Sequence, residues 1–224
     1  MSLLIAVMLA AAGPRATIDP ATVREVAQEF ATCAVKKRPE LASKYVLDAY
    51  TWLDRRDFRK LFDPGCVPTY GRRYTALAGG RQQMSFALSE ALVRLHYPSA
   101  EMPDVRSAAP LDHSLPPLAP LPASAKPQTP ETLADLEMGR AASQAISILG
   151  ECVVRGHPAA AHGLLLTEPG SPMESRYFEV LQPVAGNCIE KGAAMAMTKY
   201  SLRGTIALNY YRLAHALRAT GQAQ

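Results

Sequence analysis

Apolar side chains recur every three to four residues over most of this chain, the spacing of helices with one buried face. Val23, Val26, Ala27, Phe30 and Cys33 form the first stripe, behind an Asp19-Pro20 pair that reads as a cap and a first-turn proline. Pro39 stops that helix and opens another over about 39–48, and Thr51 caps a third over about 52–61. Asp63-Pro64-Gly65 is a turn, Cys66 follows it, and a longer helix is predicted over about 82–96, after Gly79-Gly80. The pattern restarts at Thr129-Pro130, where Leu133, Leu136, Ala142, Ala145, Leu149 and Cys152 make a buried stripe. Gly156 suits the left-handed position that closes a helix, and Pro158 opens a short helix to about 166. Ser171 caps the next helix, to about 181. Residues 189–198 suit an extended segment about as well as a helix, and the last helix runs over about 200–218. Gly204 inside it costs about 1 kcal/mol relative to alanine, so a closely packed neighbour is expected there.

Read in order, these elements occur twice. Cys33 and Pro39 match Cys152 and Pro158 at an offset of 119, and Thr51, Asp54, Arg56, Phe58 and Leu61 match Ser171, Glu174, Arg176, Phe178 and Leu181 at 120. Met84, Leu88, Leu92, Arg94 and Leu95 match Leu202, Ile206, Tyr210, Arg212 and Leu213 at 118. Fixed spacing inside helices with drift at turns is the mark of an old tandem duplication. The fold expected is all-α, with two tandem-duplicated helical units over 17–97 and 130–219. Between them, residues 98–130 hold nine of the chain's 18 prolines. Proline removes backbone donors, so 98–129 reads as an extended linker. Its leucines (Leu111, Leu115, Leu118, Leu121) offer the alternative that it lies across the folded parts.

The four cysteines follow the repeat. Of the three possible pairings, the duplication selects Cys33–Cys66 and Cys152–Cys188, one bridge inside each unit. Closing a loop of about 35 residues stabilises by roughly 3.7 kcal/mol in the chain-entropy model. No C-x2-C pair or C-x-x-C-H is present, so neither a metal site nor haem attachment is expected.

Leu3 to Ala11 is an apolar run too short to cross a bilayer, which takes about 20 residues. It fits the core of a signal peptide over 1–12, with Ala10 and Ala12 as the small residues before cleavage. Only the α-amino group supplies positive charge ahead of the run; the competing readings are a buried first helix or a start placed too late. Export implies a periplasmic or secreted protein whose membrane contact is at most peripheral. The net charge of +4 gives little reason to expect a nucleic-acid partner. The basic excess lies in the first unit, around Arg55, Arg56, Arg59, Lys60, Arg72, Arg73 and Arg81. These read as a solvated face or as a contact for an anionic surface.

No catalytic or phosphate-binding motif stands out, and no catalytic, cofactor-binding or metal residue is assigned. Glu174, three after Ser171, reads as a helix-capping acid, as does Asp54 after Thr51. His96 and His215 lie near helix ends, where a charged histidine suits the dipole. Arg94 and Arg212, at matched positions, are either structural ion pairs or ligands for a carboxylate or phosphate.

Glu151-Cys-Val-Val-Arg155, Pro158, Leu202-Arg-Gly-Thr-Ile-Ala207 and Asn209-Tyr-Tyr-Arg-Leu-Ala214 give residues 151–216 a resemblance to an uncharacterised family of small exported proteins of Gram-negative bacteria. The resemblance implies export and a helical build, and transfers no activity. Two functional classes follow. One is a non-catalytic binding or envelope-associated module, whose partner would be an envelope component or a protein. The other is an enzyme of unfamiliar type, such as a hydrolase acting on envelope material.

Overall fold

A computed structural model describes residues 20–48, 60–61, 63–67, 81–98, 103–115, 129–189 and 197–221. The signal-like segment 1–12, residues 52–59 of the helix expected over 52–61 with its caps Thr51 and Asp54, and the arginines Arg55, Arg56, Arg59, Arg72 and Arg73 lie outside them, while Lys60 and Leu61 are helical. So do Leu118, Leu121 and residues 190–196.

Proline starts most of the helices, at the one position where its missing N–H costs nothing. In chain order they are α1 Pro20–Lys37, α2 Pro39–Leu47, α3 Arg81–His96, α4 Pro130–Gly156, α5 Pro158–Leu166, α6 Pro172–Asn187 and α7 Lys199–Ala219. A 3-10 turn, Pro64–Cys66, is capped by Asp63, whose carboxylate accepts from the Gly65 N–H at 2.7 Å. The described residues contain no strand. None of their helices is long and apolar enough to cross a membrane.

Two disulfides close the predicted loops. Cys33–Cys66 joins α1 to the 3-10 turn with Cα atoms 5.4 Å apart, and Cys152–Cys188 joins α4 to the end of α6 at 5.9 Å. One bridge therefore lies in each half of an all-helical chain.

The two halves share one core. Phe30, Ala34 and Val35 of α1 belong to the same buried cluster as Leu88 and Leu92 of α3 and Ile206, Tyr210 and Leu213 of α7. The junction is α3 against α7. Phe86 meets Gly204, Glu90 meets Arg203, Tyr97 meets Tyr210 and His96 meets Tyr211. Residue numbers rise together along both helices, so they run side by side in the same direction. Gly204 is required: a Cβ there would lie 2.3 Å from the Phe86 ring. Around this junction α1 packs on α3 as α4 packs on α7, while α2 touches α7 and α5 touches α3. Exchanging the halves preserves that pattern, as in a two-fold pair of identical subunits.

Two expectations are corrected, and one of two open readings is selected. The buried stripe of α4 starts late: Leu133 and Ala142 are exposed and Ala145 is half-buried. Burial sets in at Ser147 and Leu149, beside the point where Thr205 of α7 donates to the Ile146 carbonyl at 2.9 Å. Gly156 is not left-handed, since among the described residues only Gly170 and Gly221 have positive φ. Its small size instead admits Val184, 2.6 Å from where a Cβ would stand. For the proline-rich segment, residues 103–115 follow the second of the two readings and lie across the folded parts. Val105 and Ala108 are buried, and Leu111 packs on the core. This stretch is a strap across the second half.

Candidate functional site

A buried charge cluster lies where the halves meet. Arg203 is 1% exposed, and every nitrogen of its guanidinium is engaged. Nε and Nη2 form a fork on the Glu90 carboxylate at 2.9 and 2.7 Å. Nη1 donates to Glu174 at 2.9 Å and to the Thr167 hydroxyl at 3.2 Å, and Nη2 also reaches the Thr167 carbonyl at 2.8 Å. Burial pulls the Arg203 pKa down, but its bonds to Glu90 and Glu174 outweigh that and leave it raised. Two more arginines complete the cluster: Arg24 on Glu174 at 3.1 Å and Arg94 on Glu90 at 3.1 Å. An unpaired charge at this depth would be prohibitive; Arg203 set between Glu90 and Glu174 is not, and Arg24, Arg94 and the exposed Glu168 balance the charge around them.

Of the two arginines singled out in the sequence, Arg94 joins this cluster. It also donates to the Leu165 and Thr167 carbonyls at 2.9 and 2.5 Å and to Glu168 at 3.2 Å, which fixes the α5–α6 turn against α3. Arg212 serves the strap, donating to the Asp112 carbonyl at 3.1 Å. Ser171 caps α6 through the Glu174 N–H at 3.2 Å. The Glu174 carboxylate does not turn back on Ser171; it accepts from the Gly170 N–H at 2.7 Å and from Arg203 and Arg24.

The strap is held by a second cluster on α4. Arg155 donates to the carbonyls of Arg106, Ala108 and Ala109 at 3.0, 3.0 and 2.8 Å and pairs with Glu151 at 2.7 Å. Glu151 accepts from the Leu111 N–H at 3.2 Å and lies 2.5 Å from Nε2 of His113. Nδ1 of His113 is 3.0 Å from the Ser147 hydroxyl. With the ring proton on Nε2, Ser147 donates to His113 and His113 to Glu151. This serine–histidine–carboxylate row is closed over: Ser147 is 3% exposed and its Oγ also faces Asn209 Oδ1 at 3.4 Å. Burial raises the Glu151 pKa, but Arg155, His113 and the Leu111 N–H together leave it below its ordinary value.

The first half carries a groove of about 640 Å3 between α1 and α3, within the range of ligand sites. Gln28, Thr32 and Lys36 line its α1 wall, and Ala87, Ala91 and Arg94 its α3 wall. Glu25 and Glu29 make one end acidic, and Lys36 and Lys37 make the other basic. Gln28 crosses the floor to donate to Glu90 at 3.2 Å.

His96 and His215 do not act as charged helix ends. Burial, then the nearby Arg218, lowers both pKa values, so each is neutral at pH 7. Among the described residues no group of three or more His, Cys, Asp or Glu is placed to hold a metal.

Arg203 and the strap clamp were not foreseen in the sequence. The available signal was a lone charge inside Leu202-Arg-Gly-Thr-Ile-Ala207, a stretch apolar enough to be buried on all sides. No family model, curated protein or solved structure matches the chain.

Proposed function

We propose that the protein is a non-catalytic binding module of the cell envelope, exported to the periplasm or beyond. The observation that carries this is the groove between α1 and α3, open among the described residues beside charges already committed to each other. Its lining offers recognition groups of both signs with no nucleophile set against a base. Export is supported by the two disulfides, which persist in oxidising compartments. It is supported further by the signal-like run Leu3–Ala11 and by the likeness of 151–216 to exported proteins of Gram-negative bacteria. The test is retention of envelope fractions by immobilised, disulfide-intact protein, with Thr32→Trp as the control that fills the groove from an exposed position. Retention lost in Thr32→Trp supports the reading; equal retention by both proteins defeats it.

A second reading, a hydrolase acting on envelope material, is favoured by the Ser147–His113–Glu151 row. Its serine faces the strap rather than the groove. Labelling of Ser147 by a fluorophosphonate, absent in Ser147→Ala, would establish that reading in place of the first.

A further inference from the structure

The two halves carry the same groove, and in one of them its occupant is visible. The strap lies on four polar side chains: Ser147, Glu151 and Arg155 of α4 and Arg212 of α7. Subtracting the repeat offset of 119 from the α4 residues gives Gln28, Thr32 and Lys36. Subtracting 118 from Arg212 gives Arg94. All four counterparts line the open groove of the first half. A crevice between the first and last helices of the repeat is therefore filled by extended polypeptide in the second half and unfilled, among the described residues, in the first.

We infer that the α1–α3 groove binds an extended peptide segment of a partner protein, laid antiparallel to α1. This rests on the binding reading above and names its ligand class. The strap supplies the template. Its carbonyls at Arg106, Ala108 and Ala109 meet Arg155 near the end of α4, its Leu111 N–H meets Glu151, and His113 meets Ser147 further back. Chain direction is thus opposite to α4. It buries Val105 and Ala108 fully and packs Leu111 partly against the core. In the first half Lys36 stands where Arg155 takes carbonyls, and the Thr32 hydroxyl stands where Glu151 takes an N–H. Arg94 is already bound to Glu90 and the α5–α6 turn, so the α1 wall does the reading. The ends of the groove add charge selection. The peptide's leading end lies by Lys36, and by Lys37, which also pairs with Asp63 at 3.0 Å, and carries an acid; its trailing end lies by Glu25 and Glu29 and carries a base.

Selection of random displayed peptides, each the length of the strap, on the full-length oxidised protein tests this. The expected hits have an acid toward the N-terminus, small apolar residues in the middle and Lys or Arg toward the C-terminus. Synthesised hits should lose at least about tenfold in affinity to Thr32→Trp, measured by fluorescence polarisation. Lys36→Glu should replace the leading acid in the selected sequences by a base. Circular dichroism and intact disulfides verify that both variants fold. The inference is overturned if no peptide is enriched, if hits bind Thr32→Trp equally, if the charge order is reversed, or if the hits form amphipathic helices. Should envelope retention disappear in Thr32→Trp while no peptide binds, this inference alone falls and the groove takes another ligand. Should retention be indifferent to Thr32→Trp, the binding reading falls with it.

Discussion

Arg203 and Arg155 are both arginines set between carboxylates and main-chain carbonyls, but they hold different things. Arg203 joins α7 to Glu90 of α3 and Glu174 of α6, elements brought together only by the complete fold. Arg155 holds one neighbouring segment, with a side chain 24% exposed. Buried pairs contribute little net stability relative to apolar replacements, yet losing one partner is costly. The first cluster therefore fixes how the halves meet. The second fixes the strap to α4, so its loss should loosen the strap and leave the rest of the core folded.

The largest effect expected is from Arg203→Met, which leaves Glu90 and Glu174 buried with too few partners. It should cost about 3–5 kcal/mol in urea unfolding, and adding Glu90→Gln and Glu174→Gln should recover much of that loss. A loss below about 1 kcal/mol, that of a surface pair, would erase the distinction between the clusters. Next comes removal of Cys152–Cys188 by paired serine substitutions, expected to lower stability by about 3.7 kcal/mol in the chain-entropy model. Comparing it with the same change at Cys33–Cys66 shows whether the half that carries the strap leans less on its bridge.

Arg155→Ala should act locally, costing about 1.5–3 kcal/mol of strap attachment. Amide exchange should quicken over 105–111 and stay unchanged in α3 and α7; equal quickening in α7 would make the strap part of the core. The smallest effect concerns pH. Glu151 has a folded pKa below its ordinary 4.5, so its contribution is complete above that value. It is lost as pH falls through the lower folded value. Exchange at the Leu111 N–H should rise in that window, and Glu151→Gln should flatten the dependence.

Most helices and both bridges were legible because their signals are local: apolar spacing, prolines at first turns, and cysteines that follow the repeat. Arg203 was not. α7 is buried from Arg203 to Tyr211 without a break, so no polar face marks the charge as exceptional. The strap was half legible: proline-rich composition predicts irregular backbone, and the leucines offered docking only as an alternative, with no sign of the Arg155 and Glu151 clamp. The first turns of α4 were misread because an apolar stripe states that a face is able to be buried, not that a neighbour reaches it. The groove is a property of what covers one half and not the other, which no single stretch encodes.

Phe86 and Gly204 occupy the same place in the two repeats and touch each other. Were either half to associate with a copy of itself through the same crossing, it would set ring against ring or void against void. Separate genes encoding each half should accordingly yield chains that prefer the unlike mate, and fusion into one polypeptide makes that mate permanently available.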